Sequence, residues 1–354
     1  MKSVKVVFFI VLLVNAVGFS QRKKDFFIEP LLYKTTNSLY KTITFVDSRE
    51  DTASFGFIQK GFFKRTIKVI PTIPLSTQLQ SVLNSSIDKT ALNGELLFDL
   101  RRLQFSEIKE NVNREIGYCY FHALMYAKQG EKYYDIRVID TIISVYSKNA
   151  TEKLLYQAGK QISDFLQSAL LQEPVDSTYF SLLQVLKMDS IEKSKLPLYC
   201  SKNNYKDGIY YGYNSFANQT PDLPIEVNMK NGRIKSIMTP TDKMGEYKKV
   251  PNNMVYAIVN NNIPYIVKND RYCMLIKKNG NFYFTLPMIV RKSPALLASE
   301  LVLASASIVL FTLVPAIPFL LTSVTGMFLS FTPMHKDVEL QINHVNGKFI
   351  RMDY

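Results

Sequence analysis

Gly94–Glu107 reads GELLFDLRRLQFSE, and Gly117–Val145 reads GYCYFHALMYAKQGEKYYDIRVIDTIISV. In the first stretch Leu96, Phe98 and Leu100 recur at the two-residue period of a strand. The adjacent Arg101 and Arg102 break that alternation, after which Leu103 and Phe105 resume it one residue out of step. Such a slip predicts a β-bulge at the arginine pair, because any other reading turns half the apolar residues to the wrong face. Ile116 to Ala127 and Tyr133 to Val145 read as two longer strands, joined by the polar residues Lys128, Gln129, Gly130 and Glu131 as a hairpin.

Outward from these strands the pattern is mixed. Upstream, Thr42 to Val46 (TITFV) predicts a strand closed by Asp47, Ser48, Arg49, Glu50 and Asp51, and Thr66 to Ile70 predicts a second, ended by Pro71 and Pro74. Thr77 with Gln80 has the spacing of a capping box before an amphipathic helix through Leu79, Val82, Leu83 and Ile87. Downstream of Asn149, residues Leu154, Leu155, Ala158, Ile162, Phe165, Leu166 and Ala169 fall on one side of a longer helix. The expectation for residues 25–173 is an α+β domain, an antiparallel sheet with two helices on one face.

Residues 174–207 read as a linker that includes a helix over Tyr179–Met188. Residues 208–290 read as a small β-meander domain, with Asn231-Gly232 and Asn279-Gly280 as hairpin turns because both residue types tolerate positive φ. From Ala295 to Phe331 the only charge is Glu300, so residues 295–331 are expected to form a C-terminal hydrophobic helical segment. A single transmembrane helix from about Leu301 to Leu321, kinked at Pro315 and Pro318, suits that length better than a hairpin. The alternative is a soluble module in which residues 295–331 are buried as core. Residues 332–354 form a C-terminal tail.

At the other end, Lys2 and Lys5 precede the apolar run Val6 to Val14, and Gly18 and Ser20 precede Gln21. Residues 1–20 thus read as a secretory signal peptide cut after Ser20, because nine apolar residues fall well short of the ~20 that span a bilayer. Lipid attachment needs a cysteine at the new amino terminus, and the first in this chain is Cys119. Cys119, Cys200 and Cys273 match no metal spacing. Cys200 with Cys273 is the pair to test for a disulfide. Cys119 and His122, three residues apart on a strand, point to opposite faces and form no ligand or catalytic pair.

The 354 residues suffice for two hydrophobic cores. The 47% hydrophobic and 21% charged composition excludes a disordered or collagenous chain. The net charge of +13 is spread along the chain and forms no basic stripe, which with export argues against nucleic acid as a partner. No GxGxxG, Walker A, HExxH, GxSxG or paired CxxC motif is present. Asp47, Glu50 and Asp51 are the carboxylates that could serve a hydrolase, but they read better as a solvated turn with local capping bonds. His335 and His344 read as exposed tail residues. Tyr179, Tyr199, Tyr205, Tyr210, Tyr211, Tyr213 and Phe216, interleaved with Lys202 and Lys206, could stack on a sugar or base, although core packing is the commoner use of such rings. Asn84, Asn149 and Asn218 begin N-x-S/T triplets. No catalytic, cofactor or metal residue is assigned.

In its element order over residues 40 to 172, the chain resembles the auxiliary lipoproteins of bacterial ABC-type lipid transport systems. TITFVDSRED, STQLQSVL, the long strands quoted above and EKLLYQAGKQISDFL carry that resemblance, without the lipidation cysteine of those proteins. DGIYYGYNSFANQTPDLP, VYAIVNNNIPYIVKNDRYCMLI, NGNFYF and INHVNGKFI, within residues 207 to 354, are similar to uncharacterised secreted proteins of the Bacteroidota type. The second resemblance supports envelope localisation, in the periplasm or at the outer membrane, while the signal peptide, the charge-free run and the lack of catalytic motifs lead to the expectation of a protein or lipid partner. The function expected is therefore that of an exported, membrane-associated envelope protein with a non-catalytic binding role. A carboxylate-dependent hydrolase near Asp47 is the alternative.

Overall fold

The computed structural model describes residues 23–31, 33–60, 65–111, 114–174, 177–201, 204–241, 243–290 and 334–352. Its first half contains β1 (Lys23–Asp25), β2 (Tyr40–Asp47), β3 (Phe57–Lys60), β4 (Arg65–Ile70), α1 (Leu75–Ser86), β5 (Gly94–Asn111), β6 (Arg114–Gln129), β7 (Lys132–Ser147) and α2 (Ala150–Ala169). The long strands form a sheet of order β2-β5-β6-β7, and a small second sheet has the order β1-β4-β3. β5, β6 and β7 pair antiparallel, whereas β2 runs parallel to β5 and β1 parallel to β4.

The second half begins with three short helices, α3 (Leu182–Leu186), α4 (Met188–Ser194) and α5 (Pro197–Cys200), where a linker was expected. Then come β8 (Gly208–Tyr210), α6 (Tyr213–Ala217), β9 (Glu226–Lys230), β10 (Arg233–Pro240), β11 (Tyr247–Lys249), β12 (Ala257–Asn260), β13 (Ile263–Lys268), β14 (Arg271–Met274), β15 (Ile276–Lys278), β16 (Asn281–Val290), β17 (Met334–Ile342) and β18 (Phe349–Arg351). They build three sheets, β11-β10-β9, β14-β13-β12-β8 and β15-β16-β17-β18. At the turns Asn231-Gly232 and Asn279-Gly280 all four residues take positive φ, as a tight two-residue hairpin requires.

The α+β expectation is corrected by this architecture. Among the described residues the protein is mostly β, 46% strand against 21% helix, with five sheets and six helices, and these helices do not make up a clear two-helix face. Local alternation identified single strands, but the number of sheets depends on pairings between distant segments that period alone does not encode. The expected hydrophobic helix at 295–331 lies outside the described residues, as does the expected signal peptide. The described residues of the expected tail form β17 and β18, with no helix. Among the described residues no helix is long and apolar enough to cross a membrane, so none of them provides the expected transmembrane helix.

The bulge positions the site. Leu100 pairs with Ala123 and Arg102 with His122, so Arg101 is the extra residue at the register shift. Before the shift Leu96, Phe98 and Leu100, and after it Leu103 and Phe105, enter one core with Leu79 and Leu83 of α1 and Leu154, Ile162 and Phe165 of α2. Phe98 and Phe165 meet edge to face with centroids 5.9 Å apart. Asp99, Arg101, Arg102 and Gln104 are thereby left to the opposite face, which the second half covers. In α2, Gly159 lets the segment before β2 cross the helix. A Cβ there would lie 2.4 Å from the Phe27 carbonyl oxygen.

The expected capping box at Thr77 does not form. Pro74 is the N-cap of α1 and no side chain caps the helix. Gln80 instead accepts from the Ile43 amide at 3.1 Å and donates to Asn84 Oδ1 at 2.8 Å, tying α1 to β2. All three cysteines are free: Cys119 and Cys273 are buried and Cys200 is exposed, so the disulfide considered for Cys200 and Cys273 is not formed.

Candidate functional site: a charged cleft between the two halves

Three segments meet at the arginine bulge. The first is the turn after β2, held beside β5 by the parallel pairing of Asp47 with Leu100 and by a 2.9 Å bond from the Ser48 amide to the Leu100 carbonyl. The others are α4 and the β16–β18 sheet. The turn, the bulge strand and the sheet of β16–β18 line a cavity of about 250 Å³. The turn supplies Arg49, Glu50 and Asp51, β5 supplies Arg101, Arg102 and Gln104, and the far half supplies Tyr283 and Met352.

Most of these charges are already matched. Asp47 and Arg49 form a bidentate pair, Nε to Oδ1 at 2.8 Å and Nη2 to Oδ2 at 2.7 Å, and the guanidinium lies 4.5 Å over the Phe55 ring. Asp51 caps its own turn, accepting from the Ala53 amide at 2.8 Å. The solvated-turn reading of these carboxylates accounts for Asp47 and Asp51.

Arg101, its side chain 2% exposed, is paired with Asp189 and with Glu192. Glu192 accepts from both its terminal nitrogens and from His344 Nε2 at 2.8 Å. Burial opposes the Glu192 charge, but the hydrogen bonds from His344 and Arg101 and the arginine's charge outweigh it and pull the pKa down to about 2. Burial shifts His344 in the neutral direction against the pull of Glu192, with Lys193 and Arg101 adding to the shift. The pair is therefore an ionised carboxylate and a neutral imidazole. His344, expected to be exposed, is buried in the interface. Its position follows from a contact with a residue 152 places earlier in the chain, for which the local sequence carries no signal.

Asp189, Glu192 and His344 bring ligand atoms within 4.8 Å of one another, a spacing suited to a metal ion. The Arg101 guanidinium is already bonded to both carboxylates, so a second cation would meet its repulsion. The cluster is better described as an arginine site.

His122 lies opposite the bulge and is buried. Burial, with the positive charge of Arg101, lowers its pKa to about 3. Cys119 joins the core on the other side of the sheet, as the odd spacing predicted. Asp99 is fully buried. Its Oδ1 accepts from the Ser48 hydroxyl at 2.5 Å and its Oδ2 has no hydrogen-bond partner among the described residues. Burial raises its pKa to about 6, against the opposing effects of Ser48 and Arg101.

The halves are further joined by Asp140, which accepts from Asn343 at 3.1 Å and Asn346 at 2.8 Å, and by Gln104, which donates to the Arg351 carbonyl at 3.0 Å. Of the aromatic cluster, Tyr199, Tyr205, Tyr210 and Phe216 are buried in the second core, while Tyr179 and Tyr211 are exposed. The rings therefore mainly fill a core and form no continuous stacking platform. The side chain of His335 lies outside the described residues. No protein-family model matches the chain, and no curated protein matches it either.

Proposed function

We propose that this is an exported envelope protein with a non-catalytic binding role, and that the cleft at the arginine bulge is its binding site. The observation that carries the reading is the state of Arg102. This guanidinium lines the cavity, yet its only hydrogen bond among the described residues is a 3.5 Å contact with Gln104, and no carboxylate lies within 4.0 Å of it. Burial opposes its charge and Glu50 attracts it from beyond ion-pair distance, so a guanidinium in a cleft with no carboxylate in contact offers its donors to an anionic group.

The non-catalytic part is supported by how the neighbouring groups are used. Asp47 is held by Arg49, Glu192 by Arg101 and His344, and His122 is buried and neutral, so the expected carboxylate centre at Asp47 is engaged in a structural pair. Export is supported by the charged and apolar pattern of residues 1–20.

The test has two parts. Intact mass of the protein from the envelope fraction is expected to show a chain lacking residues 1–20, and a full-length cytoplasmic chain would contradict export. A photo-crosslinker placed at Met352, on the cavity wall, is expected to label a bound molecule in envelopes and to lose that label on Arg102→Lys. Labelling that Arg102→Lys leaves unchanged would move the binding site elsewhere.

A further inference from the structure

The cavity holds a second charge with no ion-pair contact among the described residues, although Arg102 and Lys193 both attract it. Glu50 lines the same wall and is exposed at the rim. Its Oε2 accepts one long bond, 3.3 Å, from Asn281 Nδ2, and among the described residues no cation lies within 4.0 Å of it. Asn281 is itself held in place by Lys193, whose ammonium donates to Asn281 Oδ1 at 2.7 Å. Arg102 lines the same cavity and is attracted by Glu50 without forming an ion pair with it. One guanidinium and one carboxylate thus line a single cavity without an ion-pair contact, while Arg49 and Arg101 are each fixed in bidentate pairs.

From this geometry we infer that the cleft binds a small zwitterion, its oxyanion on Arg102 and its protonated amine on Glu50. The inference rests on the binding reading above and adds the chemical class of the ligand. The two opposite charges attract each other from beyond ion-pair distance, but neither gains a direct hydrogen bond from the other. A ligand that carries both complements satisfies each at short range and displaces solvent between them. Arg102 is suited to the oxyanion end, because a planar guanidinium offers parallel donors to a phosphate or carboxylate. A volume of about 250 Å³ lies just below the ~300–1,000 Å³ of drug-sized sites, which favours a compact ligand or headgroup. Tyr283 and Met352 give the same wall apolar surface for a short spacer.

Aminoalkyl phosphates and amino acids share this chemistry, and a lipid headgroup is one source of the former. The test is calorimetric titration of the full chain with O-phosphoethanolamine, L-alanine, inorganic phosphate and ethanolamine, and flotation with vesicles of phosphatidylethanolamine in phosphatidylcholine. At least one of the two soluble zwitterions is expected to bind tenfold or more tightly than phosphate or ethanolamine alone. Glu50→Gln, at an exposed position that keeps its bond from Asn281, is expected to remove that margin without changing the melting temperature, and Arg102→Lys is expected to weaken all anionic probes. Vesicle flotation that Glu50→Gln abolishes assigns the lipid source, and its absence alongside soluble binding assigns a free zwitterion. Phosphate binding as tightly as O-phosphoethanolamine, or a margin untouched by Glu50→Gln, overturns the zwitterion while leaving the binding site in place. No binding of any probe, together with crosslinking at Met352 that is indifferent to Arg102, overturns both.

Discussion

Arg101 and Glu192 form a two-point contact, Nη1 to Oε1 at 2.9 Å and Nη2 to Oε2 at 2.7 Å, that joins the bulge of the long sheet to helix α4. The arginine side chain is almost wholly buried while that of Glu192 is 31% exposed, so it is the guanidinium that has given up its hydration and depends on its carboxylate partners. Glu192→Ala is expected to cost about 3–5 kcal/mol by leaving the guanidinium with Asp189 alone. The double variant Arg101→Leu with Glu192→Leu is expected to recover most of that loss. Chemical denaturation of the two variants checks the prediction, and a double variant as weak as the single would show that the loss comes from packing.

Acid should weaken the interface in two stages. His122 is neutral in the fold, with a pKa of about 3 against the ordinary 6.5, so its contribution is complete above 6.5 and is lost as pH falls from there toward 3. Glu192, lowered to about 2, contributes fully above about 4.5 and loses that contribution as pH falls toward 2. Melting temperature is therefore expected to fall from pH 7 to 5 and more steeply below 4.5. His122→Asn is expected to make the upper stage shallower, with His344, shifted in the same direction, retaining part of the slope. An unchanged upper stage in that variant would remove His122 from the account.

Asp99 has the opposite sign. Its pKa is raised to about 6, so burying the charged form costs nothing below about pH 4 and the cost grows until pH passes 6. Asp99→Asn is expected to be more favourable at pH 7.5 than at pH 4 by about 2–3 kcal/mol, at ~1.4 kcal/mol per pH unit. The asparagine oxygen can still accept from Ser48. Equal effects of the substitution at both pH values would show that the carboxyl keeps an ordinary pKa.

Gly159→Ala should destabilise, although alanine is worth ~1 kcal/mol more than glycine within a helix. The added methyl would meet the backbone of Phe27, and Glu29 next to it is fixed by a bond from the Ser163 hydroxyl to its carbonyl. A cost of about 1–3 kcal/mol is expected from that overlap. A rise in melting temperature would mean that the crossing segment moves aside.

What could be read from the sequence was what neighbouring residues decide together. Arg101 and Arg102 announced the bulge because the apolar residues on either side of them change step. Asn231-Gly232 and Asn279-Gly280 announced turns through their tolerance of positive φ. Glu192 and His344 gave no such signal, since what makes them matter is that a short helix and a later β-turn come together on the bulge. Glu192 was passed over inside an expected linker, and His344 was placed in solvent. The parallel pairing of β2 with β5 was equally hidden, because parallel and antiparallel neighbours present the same alternation. It is this pairing that sets Glu50 beside Arg102.

Gln104 reaches the carbonyl of Arg351, a residue 247 places further along, and Met352 forms part of the cavity wall. Contacts between such distant residues are reached late in folding, since a long loop must close before they can form. A growing polypeptide that has passed residue 290 has both arginines of the bulge but no lid over them. The cleft therefore takes its final shape only after synthesis has passed the last strand, β18.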